Sequence, residues 1–242
     1  MRIGIFSDVH ANWEALSACL KDFEREGLNR LFFIGDAVGY GADPNLTVKK
    51  VNEICDVKLL GNHDAAALDR LSLEYFNDFA QQAIMYNRQM LTEENIAILN
   101  DFDITSEWQN LTLVHATPCD PDSWGYVMSL FDAKESFQCF HTQVCLIGHT
   151  HRPVIIENTG TDELKIHKPT RMVLNPDNRY LINVGSVGQP RDGNPDACYL
   201  IYDHDQNEIR FKRVEYDINT AQNKMKQANI PEFLVNRLSN GK

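Results

Sequence analysis

The chain predicts an α/β fold in which two packed, mixed β-sheets are sandwiched between helices, and three patterns carry that expectation. Six short apolar runs each end in a polar corner holding glycine or histidine: "RIGIFSDVH", "LFFIGDAVG", "KLLGNHD", "LTLVHATP", "VCLIGHTH" and "LINVGSVGQ". Continuous apolar runs of this length suit strands buried on both faces. Between the early runs lie stretches with apolar residues at helical spacing, which gives βαβα order. Beyond about residue 151 short strands and turns take over, and that half is expected to be antiparallel. Ligands of open α/β sheets sit at the edge where strands deliver their carboxyl ends, so six polar corners point to one common site.

The elements follow in order. Asn12 is placed to cap a helix that carries Trp13, Leu16, Leu20 and Phe23 on one face and stops at Gly27. Asp43 and Pro44 read as a cap and a first-turn residue, with Leu46, Val51 and Ile54 turned inward. Residues 74–100 read as two further helices, the second starting near Thr92 in "LTEENIAIL". "NPDNRYLINV" and "YDHDQNEIRFKRV" both resemble hairpins with polar tips. Residues 217–239 form a helical tail that Pro231 interrupts or restarts. No linker rich in Gly, Ser or Pro divides residues 1–242, so a single domain is expected. The aromatic stretch 68–90 reads as core helices rather than a substrate lid or dimer face.

Composition narrows the function. With 242 residues and 43% hydrophobic content the chain can bury a sizeable core. No apolar stretch approaches the ~18 residues that span a bilayer, and the first residues run straight into a strand-like segment, so a cytoplasmic protein with no membrane partner is expected. Six cysteines (Cys19, Cys55, Cys119, Cys139, Cys145 and Cys198) lack CxxC pairing and read as free, mostly buried thiols in a reducing compartment. The formal net charge of −11, from 34 acidic and 23 basic residues, disfavours nucleic acid as a partner. Bound divalent cations can still invert that sign locally.

Five of the eight histidines, His10, His63, His115, His149 and His151, lie in the polar corners together with Asp8, Asp36, Asn62 and Asp64. Imidazole, carboxylate and amide oxygen without thiolate form a ligand set for Mn²⁺, Fe²⁺, Zn²⁺ or Ni²⁺, and the missing cysteine ligands exclude a zinc finger. Each residue also has an ordinary reading. Asp8 can cap a helix, Asp36 can form a turn, Asp64 can cap the stretch after Gly61, and a lone histidine such as His115 can be a satisfied polar group. His149 and His151 flank Thr150, and a tight turn is expected to bring both inward to the other ligands.

In order, "DVH", "GDAVG", "GNHD", "VHATP" and "GHTH" resemble the five blocks of the calcineurin-like metallophosphoesterases, of the small prokaryotic phosphodiesterase and phosphatase type. "FIGDAVGYGADPN", "NVGSVGQPRDG" and the tail "VEYDINTAQNKMKQANIPEFLVNRL" extend the resemblance over nearly the whole chain. It implies an α-β-β-α fold and two divalent metal ions, Mn²⁺ first, with Fe, Zn²⁺ or Ni²⁺ as alternatives. Asp8, His10 and His151 would hold one, Asn62, His115 and His149 the other, and Asp36 would bridge them. A hydroxide between the metals would attack the phosphoester. His63 would be the general acid, with Asp64 orienting it and favouring its imidazolium form. Arg191 would either fork onto a substrate phosphate or form a surface ion pair. Ala11 and Ala116 stand where many relatives have glycine. The arginine that follows "GDAVG" in protein serine/threonine phosphatases is absent, as is their "GNHE".

The expected activity is hydrolysis of a small phosphomonoester or phosphodiester, a nucleotide or dinucleoside polyphosphate among the candidates. The alternatives are a metal-binding scaffold without turnover and a nuclease. The completeness of the ligand set argues against the first, the acidic charge against the second. Substrate, native metal and oligomeric state are not specified by the sequence.

Overall fold

The computed structural model describes residues 1–161 and 163–242. The six apolar runs all become strands. The first three are β1 (Arg2–Phe6), β2 (Arg30–Ile34) and β3 (Val57–Leu59), alternating with α1 (Trp13–Glu26), α2 (Pro44–Ile54) and α3 (Asn62–Ala67). Then come α4 (Asp78–Met90), α5 (Glu93–Asn100), β4 (Thr105–Trp108), β5 (Leu111–Val114), α6 (Leu130–Ser136) and β6 (Val144–Ile147). The second half holds β7 (Val154–Asn158), β8 (Leu164–His167), β9 (Arg171–Val173), β10 (Arg179–Asn183), β11 (Ala197–Asp203) and β12 (Glu208–Val214), and ends in α7 (Ile218–Gln227) and α8 (Glu232–Asn240). Among the described residues no helix is long and apolar enough to cross a membrane.

Two six-stranded mixed sheets result, in the orders β3-β2-β1-β11-β12-β9 and β4-β5-β6-β10-β7-β8. In the first, β1, β2 and β3 are parallel, and β11 pairs antiparallel with β1 from Arg2↔Asp203 to Ile5↔Leu200. In the second, β5, β6 and β10 are parallel. Alternation along the strands explains why both faces are apolar. Ile3, Ile5, Phe32 and Ile34 pack against Leu111, Leu113, Leu146 and Ile182 between the sheets. Phe6 and Phe33 turn outward onto Leu16 and Val51 of the first helices, while Ile147 and Leu181 face Ala133 of α6 and Phe137 just beyond it. The outcome is four layers, helix, sheet, sheet, helix, with the carboxyl ends of both parallel triplets at one edge.

Local signals worked where capping was explicit. The Asn12 side chain accepts from Ala15 N–H at 3.1 Å, and Gly27 closes α1 in the left-handed conformation. Other expectations are corrected. Asp43 precedes α2 without capping it, because its carboxylate pairs instead with Lys224 at 2.8 Å. Leu46 is 47% exposed, and Thr47, Val48 and Val51 form the buried face. "NPDNRYLINV" is not a hairpin: its turn carries the chain from β9 in one sheet to β10 in the other. Beyond residue 151 the strands do pair antiparallel with one another, and β10 alone among them also runs parallel to a strand of the first half, β6. Cys119 and Cys139 are not free thiols. The chain leaving α6 folds back onto the loop after β5, bringing their Cα atoms to 5.3 Å in a disulfide, while Cys19, Cys55, Cys145 and Cys198 are free and buried.

Candidate metal centre

At the shared edge the backbone turns sharply after each strand. Asp8, His10 and Ala11 after β1, Asp36 after β2, and His149 and His151 after β6 all have φ between 48° and 65°. Left-handed backbone at six non-glycine residues is costly and persists only where the surroundings enforce it. Here the corners hold one another. Asp8, His10 and Ala11 donate their N–H groups to the carbonyls of Gly35, Asp36 and Ala37 at 2.8–2.9 Å. The left-handed turn at His149 and His151 sends the two side chains inward to different ligand groups. Gly39, at φ +140°, is pressed so closely on the imidazoles of His10 and His63 that a Cβ there would collide with both.

The buried imidazoles are oriented by backbone carbonyls. Nδ1 of His10 lies 3.0 Å from Val38 O, Nδ1 of His115 2.9 Å from Ile34 O, and Nδ1 of His151 2.6 Å from Gln189 O. A carbonyl only accepts, so each Nδ1 carries the proton and each Nε2 aims a lone pair at the centre. His10 Nε2 and His151 Nε2 then face each other at 3.0 Å, and Asp8 Oδ1 lies 3.1 Å from the latter. Asp36 Oδ2 lies 3.5 Å from His10 Nε2 and 3.3 Å from His115 Nε2, while Asn62 Oδ1 lies 3.3 Å from His115 Nε2. Acceptor therefore faces acceptor wherever these imidazoles are neutral. Asp8 Oδ1, Asp36 Oδ2 and His149 Nε2 are buried with no hydrogen-bond partner at all. Asp8, His10 and His151 converge as one group of ligand atoms, Asp36, His115 and His149 as another, and His10, Asp36 and His63 as a third that lies between them. Buried polar groups normally find partners. The donor set and its orphaned atoms fit divalent cations.

In the metal-free chain protons take over part of that role. Burial would lower the His115 pKa, but Asp36 and then Asp8 pull it up to about 9. Burial pushes His149 down to about 3, helped by His115, and His151 down to about 4, helped by Arg191. Burial opposes ionisation of Asp8 and Asp36, yet the surrounding histidines hold both below the usual carboxylate range.

His63 starts α3 beside these ligands, edge-on to His10 and in contact with Tyr40 and Phe76. Its role as partner of Asp64 is corrected. The Asp64 carboxylate accepts backbone N–H groups from Gly61, Asp36, Ala37 and Val38 at 2.9–3.2 Å, pinning the β2 and β3 corners together. His63 Nδ1 has no partner, and burial lowers its pKa well below the ordinary value. The imidazolium form expected from a carboxylate neighbour is therefore not favoured in the metal-free chain.

A cavity of about 450 Å³ opens above Asn62, His63 and His149. Arg191 lines it, with Nη2 donating to Tyr40 OH at 3.1 Å and Gln189 Oε1 at 2.9 Å. No described carboxylate pairs with Arg191, so the surface ion pair is not formed. The cavity wall includes Trp124 and Tyr126, the latter stacked on His149 at 4.0 Å. Leu71, Tyr75, Phe76 and Asn77 also line it, so part of the 68–90 stretch is cavity wall rather than core helix. Arg237 of α8 completes the wall; nothing in the sequence singled it out. A larger concavity, about 830 Å³ over Trp13, Lys21 and Tyr216, contains none of these ligands. His167 pairs with Glu157 at 2.7 Å and His204 packs on Trp108, both away from the centre.

A mixed-sheet α-β-β-α fold with buried imidazoles and carboxylates at one edge defines a metal-dependent phosphoesterase class. Residues 1–207 match the calcineurin-like phosphoesterase superfamily domain, and the chain belongs to that family. It is 38% identical to a metallophosphoesterase of Sphaerobacter thermophilus whose crystal structure superposes with a TM-score of 0.90, covering 100% of this chain and 99% of that one. It is 36% identical to the uncharacterized protein MJ0912 of Methanocaldococcus jannaschii over 99% of this chain and 98% of the relative. The hypothetical protein PH1004 of Pyrococcus horikoshii OT3, 17% identical over 100% of this chain and 98% of its own, shares the fold with a TM-score of 0.79.

Proposed function

We propose that this protein hydrolyses a small phosphomonoester or phosphodiester with a pair of divalent metal ions, Mn²⁺ first and Fe, Zn²⁺ or Ni²⁺ as alternatives. The single observation that carries this reading is Asp36 Oδ2, buried, unpartnered and 3.3–3.5 Å from imidazole Nε2 atoms of two different ligand groups. One carboxylate oxygen so placed is suited to lie between two cations. Asp8, His10 and His151 would hold one ion, and Asn62, His115 and His149 the other. When bound, such a pair supplies Lewis acidity and the means to deprotonate water near neutral pH.

The remaining groups belong to the chain itself. Val38, Ile34 and Gln189 carbonyls fix the imidazoles, so little reorganisation is needed when a cation arrives. Asp64 holds the corners that carry Asp36 and Asn62. His63 borders the cavity, where its imidazole would exchange a proton with a leaving-group oxygen, a contribution of ~10²–10⁴ in rate. Arg191 offers a guanidinium fork to a phosphate. The confined aromatic wall and the net charge of −11 favour small substrates over nucleic acid. Metal analysis of Mn²⁺-reconstituted protein, with turnover on p-nitrophenyl phosphate, bis-p-nitrophenyl phosphate and nucleotides, tests the reading. Two bound ions per chain and hydrolysis support it; bound ions with no turnover on any ester would leave a binding scaffold.

A further inference from the structure

Resting on the phosphoesterase reading, we propose that Arg191 and Arg237 form a second anion subsite in the cavity, which takes a non-reacting phosphate, so that the preferred substrates carry two phosphate groups. Arg191 follows β10 and is tied to the metal centre: its N–H reaches His151 O at 3.2 Å, and its guanidinium shares Gln189 with His151. It lies 5.5 Å above the Tyr40 ring. Arg237 arrives from the opposite end of the chain. Leu234, Val235 and Leu238 bury the inner face of α8 in a cluster with Ala80 and Ala83 of α4, and Phe233 stacks on Phe79 at 4.8 Å. Arg237 packs 5.4 Å from the Phe233 ring, and its Nε donates to Lys242 O.

Two guanidinium groups thus share one cavity wall, to which Asp122 also contributes, and among the described residues no Asp or Glu side chain pairs with either. Acids outnumber bases 34 to 23 in this chain, so a pair of arginines without an Asp or Glu partner is the exception. The two repel: burial and then the Arg191 charge lower the Arg237 pKa to about 10. A dianion between the two guanidinium groups offsets that repulsion. Both arginines are half-buried, whereas Asn62, His63 and His149 beneath are buried. A group held by the arginines is therefore nearer solvent than one held by the metal ligands, as a second phosphate would be.

Calorimetric titration of the Mn²⁺-loaded protein with inorganic diphosphate and with orthophosphate tests this. Wild-type protein is expected to bind diphosphate at least about ten-fold more tightly, and Arg237→Gln to reduce that preference to below about three-fold. Arg237→Lys, which keeps the charge and loses the fork, falls between them. Adenosine diphosphate and adenosine 3′,5′-bisphosphate, each compared with adenosine monophosphate, then distinguish a second phosphate joined through an anhydride from one on another hydroxyl. An undiminished preference in both Arg237 variants overturns the subsite, because charge at the metals alone then explains it. So does equal binding of diphosphate and orthophosphate by the wild type. An arginine-dependent preference in a protein that hydrolyses no ester keeps the subsite and removes the phosphoesterase reading; turnover indifferent to a second phosphate does the reverse.

Discussion

His10 and His151 point their Nε2 lone pairs at each other across 3.0 Å, while backbone carbonyls occupy Nδ1 of both rings. Neither ring can turn to relieve the opposition without abandoning a buried hydrogen bond. A cation is the natural occupant of that gap. Metal binding should therefore stabilise the fold: at a concentration of about 100 times Kd the gain is about 2.7 kcal/mol, raising Tm by about 5–10 °C for a chain of this size. Thermal melts in chelator and in excess Mn²⁺ measure it. His151→Ala should lose most of the increment, and an equal Tm in both conditions would argue against metal binding here.

Metal affinity should rise with pH. His115, held protonated up to about 9 in the metal-free chain, must lose its proton to become a ligand. The sign follows directly: a raised pKa means more protonated, binding-incompetent His115 at lower pH. Apparent affinity should climb about ten-fold per pH unit between 6 and 8 and flatten above 9. Titrations in buffers of different ionisation enthalpy would report about one proton released per ion taken by that group. Affinity independent of pH over this range would remove His115 from the ligand set.

Asp64→Asn should act on structure before chemistry. The carboxylate receives four backbone N–H groups from two corners, and an amide cannot accept them all. A loss on the order of 3 kcal/mol is expected, or about 6–12 °C in Tm, with weaker metal binding. A variant as stable as the wild type but with an altered pH–rate profile would return Asp64 to the role of His63 partner.

His63→Ala should keep its metals and its fold, with some loss of stability because the buried imidazole packs on His10, Tyr40 and Phe76. Turnover should fall by ~10²–10⁴ for alkyl esters, whose leaving groups need a proton, and much less for p-nitrophenyl esters. Equal losses for good and poor leaving groups would take the acid role from His63.

Far from the site, Glu26 is held at a pKa of about 2 by Lys212 first, then Arg2 and Arg210. A depressed carboxylate stabilises the fold above its ordinary value near 4.5, and that contribution fades as pH falls toward 2. Glu26→Gln should cost about 1 kcal/mol at pH 7, allowing for solvent screening of the cluster. The difference between variant and wild-type Tm should shrink between pH 5 and about 2.5; a constant difference would assign the cost to packing.

Much of this was legible before any coordinates. Strands buried on both faces must be written as continuous apolar runs, so Ile3, Phe33, Leu113 and Leu146 announced their sheets. The corners after them carried chemistry that loops seldom need, which made the candidate ligands visible. What escaped depended on direction or distance. Asp64 follows His63 in the chain, but the first turn of α3 sends the two side chains to different neighbours. Cys119 and Cys139 carry no spacing that signals their pairing. Arg237 lies on an ordinary amphipathic helix, and only the packing of α8 on α4 brings it to the cavity. Leu46 failed for a simpler reason: at the first turn of α2, apolarity alone does not set the buried arc.

The antiparallel seam between β1 and β11 joins residues 2–5 to residues 200–203. Translation proceeds from one end, so Asp8, His10, Asp36 and Asn62 leave the ribosome well before His149 and His151 have been synthesised. The seam cannot zip until β11 emerges later still. A chain that stops short of residue 151 would therefore lack the histidine that completes the cluster of Asp8 and His10, whatever the earlier strands had already built.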